Sequence, residues 1–212
     1  MTAKGWHAGR GLAAQPCYTR RVQARLTEAA LREPLRRVLG ARQVRRVSAG
    51  SSRPASVLVP LFERDGEAHV WLVRRPGTMR SHAGQVAFPG GKADPSDGSP
   101  LVTALREAEE ELGIPQDAVD VLGPLDEMNT ITGFVISPFV GWLAPGLEMH
   151  PNPAEVARAF AAPLRAFLET PSVLLPWRGW TVDGEHVWGA TAMIVRDFVA
   201  MVRDLTAASS DG

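Results

Sequence analysis

The sequence predicts an α+β fold, a mixed β-sheet sandwiched between helices. Two observations carry this. Strand-like runs flank Asp-Gly turns near both ends of the chain, and amphipathic stretches with helix-capping residues lie between and after them.

In chain order, residues 1–20 hold Gly, Ala and Pro without period and are expected to form a loose basic arm, leaving 21–212 as a single domain with its core at about 55–205. Residues 21–40 have helical spacing in Val22, Leu26 and Ala29/Ala30. Pro34 is expected to interrupt that helix, and Gly40 can end it. Ala55–Phe62 and Ala68–Val73 read as strands joined around Arg64-Asp65-Gly66-Glu67, a hairpin signal. A short strand over Gln85–Phe88 runs into Pro89-Gly90-Gly91, and Lys92 to Gly98 is loop by composition. Ser99-Pro100 supplies an N-cap and a proline at the first helical position, and Gly113 suits the left-handed residue that closes a helix, so a helix is expected over 100–112. Beyond it, Val119–Leu122, Leu125–Thr130 and Phe134–Leu143 read as strands, and Pro153–Glu169 as a helix interrupted or restarted at Pro163. A last hairpin, Trp177–Val182 with His186–Trp188, turns at Asp183-Gly184 and leads into a helix over about 190–205.

Bulk properties narrow the class. A chain of 212 residues with 45% hydrophobic content buries one substantial core. Its single cysteine, Cys17, forms no internal disulfide, and no apolar run approaches the roughly 18 residues of a membrane span. A cytoplasmic protein without membrane or nucleic-acid partners is the expectation. Net charge is zero but unevenly spread: residues 1–53 carry twelve Lys or Arg against two acids, and the remainder eleven against twenty-one. A solvated basic arm on an acidic body explains this, as does a polyanion held at their junction.

On a helical wheel, Leu101, Leu105, Ala108 and Leu112 form one stripe, while Glu107, Glu110 and Glu111 fall together on another flank. Spaced i, i+3, i+4, the three carboxylates are neighbours that can converge on one point. Oxygen-only ligands suit a hard cation such as Mg²⁺ or Mn²⁺. A solvated acidic face is the plainer explanation, since like charges at i, i+4 cost only about 0.2–0.5 kcal/mol per pair. What favours a ligand set is its company: Phe88-Pro89-Gly90-Gly91 upstream, Arg106 directly before Glu107 and Gly113 directly after the cluster.

Arg106-Glu107-Ala108-Glu109-Glu110-Glu111-Leu112-Gly113-Ile114 resembles the signature of the Nudix hydrolase family, which ends in Arg-Glu-x-x-Glu-Glu-x-Gly and an aliphatic residue. Counted back from Arg106, the position of the family's first Glu is Gly98, and the loop from Gly91 to Arg106 is one residue longer than the general pattern; Asp94 and Asp97 are the nearby acids. Gly90-Gly91-Lys92-x-Asp94-Pro95-x-Asp97 and Thr103–Glu107 resemble the coenzyme A pyrophosphatase branch. Upstream, Leu72, Arg75, Arg80, Gly84 and Phe88–Gly91 stand in register with that branch's motif, whereas Trp71, Val73 and Pro76 depart from it. Trp188-Gly189-Ala190-Thr191-Ala192 also resembles the branch.

This resemblance implies a Nudix-type α/β/α sandwich and a metal-dependent pyrophosphohydrolase that cleaves coenzyme A or acyl-CoA to 3′,5′-ADP and (acyl-)4′-phosphopantetheine. The alternatives are hydrolysis of another nucleoside diphosphate-X, such as ADP-ribose or a dinucleotide, and a non-catalytic binding module. Glu107, Glu110 and Glu111 with the Gly91 carbonyl would hold Mg²⁺ or Mn²⁺, Arg106 would orient Glu107, and Glu107 or Glu155 would serve as general base. Arg75 and Arg80 would grip phosphates, with His82 and Gln85 shaping the same pocket. Trp177, Trp180 and Trp188 are expected in the core. Partners reduce to a small nucleotide-containing diphosphate substrate, and a homodimer is compatible with all of this.

Overall fold

The computed structural model describes residues 26–48, 50–78, 82–169 and 179–208; Val22, Arg80, Trp177 and the arm at 1–20 lie outside them. Helix α1 (Glu28–Ala41) leads into strands β1 (Arg53–Arg64), β2 (Glu67–Arg74), β3 (Val86–Ala87) and β4 (Gly90–Lys92), then helix α2 (Pro100–Leu112). Strands β5 (Val119–Pro124), β6 (Met128–Asn129), β7 (Phe134–Leu143) and β8 (Arg158–Pro163) follow, with helix α3 (Leu164–Glu169), the hairpin β9 (Trp180–Val182) and β10 (Glu185–Val187), and helix α4 (Gly189–Ala208).

The main sheet runs β3-β2-β1-β7-β5, with β4 also on β1, β6 on β7 and β8 on β2; β1 and β7 are parallel and the other pairs antiparallel. Side chains alternate across the strands, so each face owns a core. Val59, Leu61, Val70 and Leu72 meet α1, α3 and α4 on one side. On the other, Leu58, Val73 and Leu143 meet Ala104, Ala108 and Leu112 of α2. The fold is therefore an α/β/α sandwich around a mixed sheet. Both Asp-Gly turns form as expected: Asp65 and Gly66, then Asp183 and Gly184, have positive φ between directly paired strands. No helix among the described residues is long and apolar enough to cross a membrane.

Several local expectations are corrected. Helix α1 runs unbroken through Pro34, because Leu31, Leu35 and Leu39 form one buried stripe that packs on both sides of the proline. Leu26 and Leu31 lie in the same core around the Thr27 cap, which closes the first turn as a hydrophobic staple. The helix expected over Pro153–Glu169 exists only as α3. Residues 158–163 are instead a strand along β2, with Phe160 and Ala162 buried. Val156, Phe160 and Leu164 imitate a helical stripe, but the small alternating residues fit a sheet edge, and Ala162 before Pro163 favours extended backbone. The run Leu125–Thr130 shrinks to β6, and Gln85–Phe88 to β3. Trp180 is buried edge-on against Phe167, whereas Trp188 stands 40% exposed rather than in the core.

Candidate metal-binding and catalytic site

Helix α2 forms where its caps predict, but its buried face is Thr103, Ala104, Ala108, Glu111 and Leu112, with Leu101 and Leu105 only half-buried, so the expected stripe is rotated toward Glu111. The Ser99 side chain accepts from the Val102 N–H, and Gly113, at φ +69°, donates to the Glu109 carbonyl at 2.8 Å. Ala104, Ala108 and Leu112 press onto the sheet, and this sets the azimuth of the acids. Glu110 points outward with its side chain 49% exposed, Glu107 is 14% exposed, and Glu111 is turned inward at 1%.

The two glycines of β4 serve different needs. Gly90, at φ +156°, lies so close to β1 that an added Cβ would stand 2.4 Å from the Ser56 carbonyl oxygen. At Gly91 the same atom would fall 2.3 Å from a Glu107 carboxylate oxygen. A side chain at 91 would occupy the cradle in which the Glu107 carboxylate rests.

Arg106 orders the outer half of the site. Its Nε and Nη2 donate to the two carboxylate oxygens of Asp97 at 2.9 and 3.0 Å, a bidentate pair. Nη1 stands 3.0 Å from Glu107 and donates to Glu110 at 2.9 Å, and Nη2 also reaches the Lys92 carbonyl. Asp97 accepts further bonds from the Thr103 hydroxyl at 2.8 Å and the Asp94 N–H at 2.9 Å. Arg106 and these donors hold the Asp97 carboxyl far below its ordinary range. In the sequence Asp97 stands beside Asp94 as one of two nearby acids, and the structure separates them. Counted forward from Gly91, rather than back from Arg106, the family's acid position falls on Asp97. Asp94 turns away to accept from the Ser96 N–H and hydroxyl.

The inner half centres on Glu111, whose Oε2 accepts from the Gly90 N–H at 3.1 Å and whose Oε1 lies 3.3 Å from Arg75 Nη2. Burial pushes its carboxyl up to about 7, against the opposing pull of Arg75 and the Gly90 N–H; Glu107 and Glu155 add to the rise. Glu107 is also raised, chiefly by burial, with Arg106 opposing and Glu110 and Glu155 contributing. Glu155 thus acts electrostatically on both. It sits on a turn, its N–H bonded to the Asn152 carbonyl, and the Asn152 N–H caps the Glu111 carbonyl. No helix begins there, so a role in complementing a helix dipole is removed.

His82, at φ +58°, and Gln85 pair with each other, Nδ1 to Oε1 at 2.8 Å, and the Gln85 carbonyl accepts from the Arg75 N–H at 3.0 Å. These residues therefore adjoin Arg75. Ser56, Thr103 and Glu111, three of the buried polar residues, all lie within this one region.

Among the described residues, no three His, Cys, Asp or Glu side chains are gathered around a common point. Guanidinium groups stand between the acids: Arg106 between Glu107 and Glu110, Arg75 beside Glu111. The donor set still fits a hard dication. All its donors are oxygens, and the five carboxylates of Glu107, Glu110, Glu111, Glu155 and Asp97 outnumber the guanidinium groups of Arg75 and Arg106.

Known proteins share the sequence pattern and the fold. A family model of the NUDIX domain matches residues 52–180, which include β4, α2 and Glu155. Nudix hydrolase NudL of Photorhabdus laumondii, described as uncharacterized, is 44% identical over 163 residues, 72% of this chain and 87% of its own length. NudL of Cronobacter sakazakii is 41% identical over 165 residues, covering 73% and 85%. The fold also recurs in a Nudix hydrolase from M. smegmatis, RenU (TM-score 0.52, 20% identity, 74% of this chain and 87% of that one). It recurs in the NUDIX domain of Shewanella oneidensis NrtR (0.52, 17% identity, 71% and 88%), whose structure holds ADP-ribose. The chain belongs to the Nudix family, and it is a hydrolase acting on phosphorus-containing anhydrides.

Proposed function

We propose that the protein cleaves the diphosphate of coenzyme A or its acyl derivatives, releasing 3′,5′-ADP and 4′-phosphopantetheine or its acyl form. The observation that carries this is the bidentate Asp97–Arg106 pair. It gives the one-residue-longer loop, the feature shared with the coenzyme A branch, a defined task in the site. Bound Mg²⁺ or Mn²⁺ would neutralise charge developing on phosphate oxygens and help orient the attacking water. Glu107, Glu110, Glu111 and the Gly91 carbonyl are the residues to hold it, with Arg106 keeping Glu107 and Glu110 together.

Glu107 and Glu155 are the two carboxylates for the water's proton. The raised carboxyl of Glu107 makes it a better acceptor near neutral pH than an exposed glutamate. Glu155→Gln separates them: a fall in kcat of about 10²-fold or more assigns the proton to Glu155, and a change of only a few-fold leaves it with Glu107. His82 and Gln85 are proposed to line the substrate pocket beside Arg75.

A second reading is hydrolysis of another nucleoside diphosphate-X. It is favoured by Trp71, Val73 and Pro76, which depart from the branch motif, and by the ADP-ribose bound to the NrtR domain of the same fold. Purified protein with Mg²⁺ or Mn²⁺, offered coenzyme A, ADP-ribose and NADH in a phosphatase-coupled assay, decides between them. Turnover of coenzyme A is expected; turnover of ADP-ribose or NADH alone would transfer the assignment.

A further inference from the structure

We infer that Arg75 is a positioning residue for the cation's ligands, holding Glu111 and Gly90 in place rather than gripping a substrate phosphate. The inference rests on the metal-dependent reading above and goes beyond it in giving Arg75 a different task.

Arg75 directly follows β2 and braces the segment carrying β3 and β4 at both ends. Its backbone N–H donates to the Gln85 carbonyl at 3.0 Å, and its Nη2 donates to the Gly90 carbonyl at 2.8 Å. The same Nη2 stands 3.3 Å from Glu111 Oε1. Glu111 Oε2 meanwhile accepts from the Gly90 N–H, so carboxylate, guanidinium and peptide form a closed ring of contacts. This ring ties β2, β4 and α2 together directly beside Gly91, whose neighbour Glu107 completes the set. With Glu111 at 1% exposure, water does not replace the guanidinium. Removing it leaves the buried carboxylate with one backbone donor, and the ligand loses the charged contact that fixes its position. One nitrogen makes the contacts to Gly90 and Glu111, so a lysine ammonium is able to reproduce those two, whereas a glutamine lacks the charge.

The test measures Mn²⁺ binding without substrate, by the electron paramagnetic resonance signal of free Mn²⁺, alongside steady-state kinetics. Arg75→Gln is expected to weaken Mn²⁺ binding by about 10–100-fold and to lower kcat, with KM changed less than about twofold. Arg75→Lys is expected to recover most of the affinity. Wild-type Mn²⁺ affinity in Arg75→Gln together with a tenfold higher KM would overturn the inference in favour of phosphate gripping. If Arg75→Gln fails to fold, the comparison moves to a Glu111→Gln background, where no charge is stranded. There the added Arg75→Gln change removes only the Gly90 contact and is expected to lower the residual Mn²⁺ affinity by less than about threefold, and a further tenfold loss would refute a role exerted through Glu111. Because the first readout needs no substrate, failure of the coenzyme A assignment leaves it intact, whereas a wild-type protein that binds no Mn²⁺ sinks both.

Discussion

At the residue scale, the site consists of acids whose charge the protein only partly balances. Asp97 carries the outer half: Asp97→Asn removes the bidentate one of the three anionic partners of Arg106 without changing shape, and a loss of about tenfold in kcat is expected with an unchanged circular dichroism spectrum. An unaltered kcat would show that Arg106 orders Glu107 without that anchor. Gly91→Ala places a methyl where the Glu107 carboxylate rests and is expected to weaken metal binding with little loss of stability, because that carboxylate is the free end of a flexible side chain. Glu111 has a signature in pH. Its folded-state carboxyl, at about 7, lies above its ordinary 4.5, so the native state binds the extra proton between those values. Its contribution to stability is fully present below about pH 4.5 and is lost as pH rises through about 7. Glu107, also raised, adds a fall of the same sign, whereas Asp97, shifted downward, acts only at lower pH. Urea melts of the metal-free protein in EDTA should therefore show stability falling from pH 5 to pH 8, and saturating Mn²⁺ should abolish the fall. A metal-free midpoint that rises with pH would contradict the assignment.

Among the elements, legibility followed locality. Helix α2 and both Asp-Gly hairpins were readable because caps, turns and period lie within about fifteen residues of each other. Strand β8 was not, since its helical imitation is undone only by six register pairs with β2, more than eighty residues away. The same limit applies within the site. A wheel places Glu107, Glu110 and Glu111 on one flank, yet cannot say that packing of Ala108 and Leu112 turns Glu111 inward and leaves Glu110 outside. Nor does it connect Arg75 to Glu111 across 36 residues. In α1, the buried leucines outweigh the proline. Pro34→Ala restores a donor facing the Ala30 carbonyl and is expected to raise stability by about 1–2 kcal/mol in denaturant melts. A decrease would mean that the proline's restriction of the unfolded chain matters more than its lost bond.

For the whole molecule, the lopsided charge resolves partly within the fold. Arg32 and Arg36 of α1 pair with Asp120 on β5, and Arg42 and Arg46 pair with Asp126 and Glu127 beside β6. Basic residues after position 26 thus bind the first helix and its following segment to the acidic body, and that use was invisible in a count of charges. The result is a sheet that presents Gly90 and Gly91 to an acidic helix on one face, while α1, α3 and α4 seal the other. The proposed function rests on one chemical claim, that α2 holds a divalent cation which serves diphosphate hydrolysis. Turnover of coenzyme A by the wild type and by Glu111→Gln, each with saturating Mn²⁺ and matched circular dichroism spectra, tests it most directly. Wild-type turnover and a loss of at least about a hundredfold in the variant are expected; near-equal turnover by the two proteins would contradict the metal assignment.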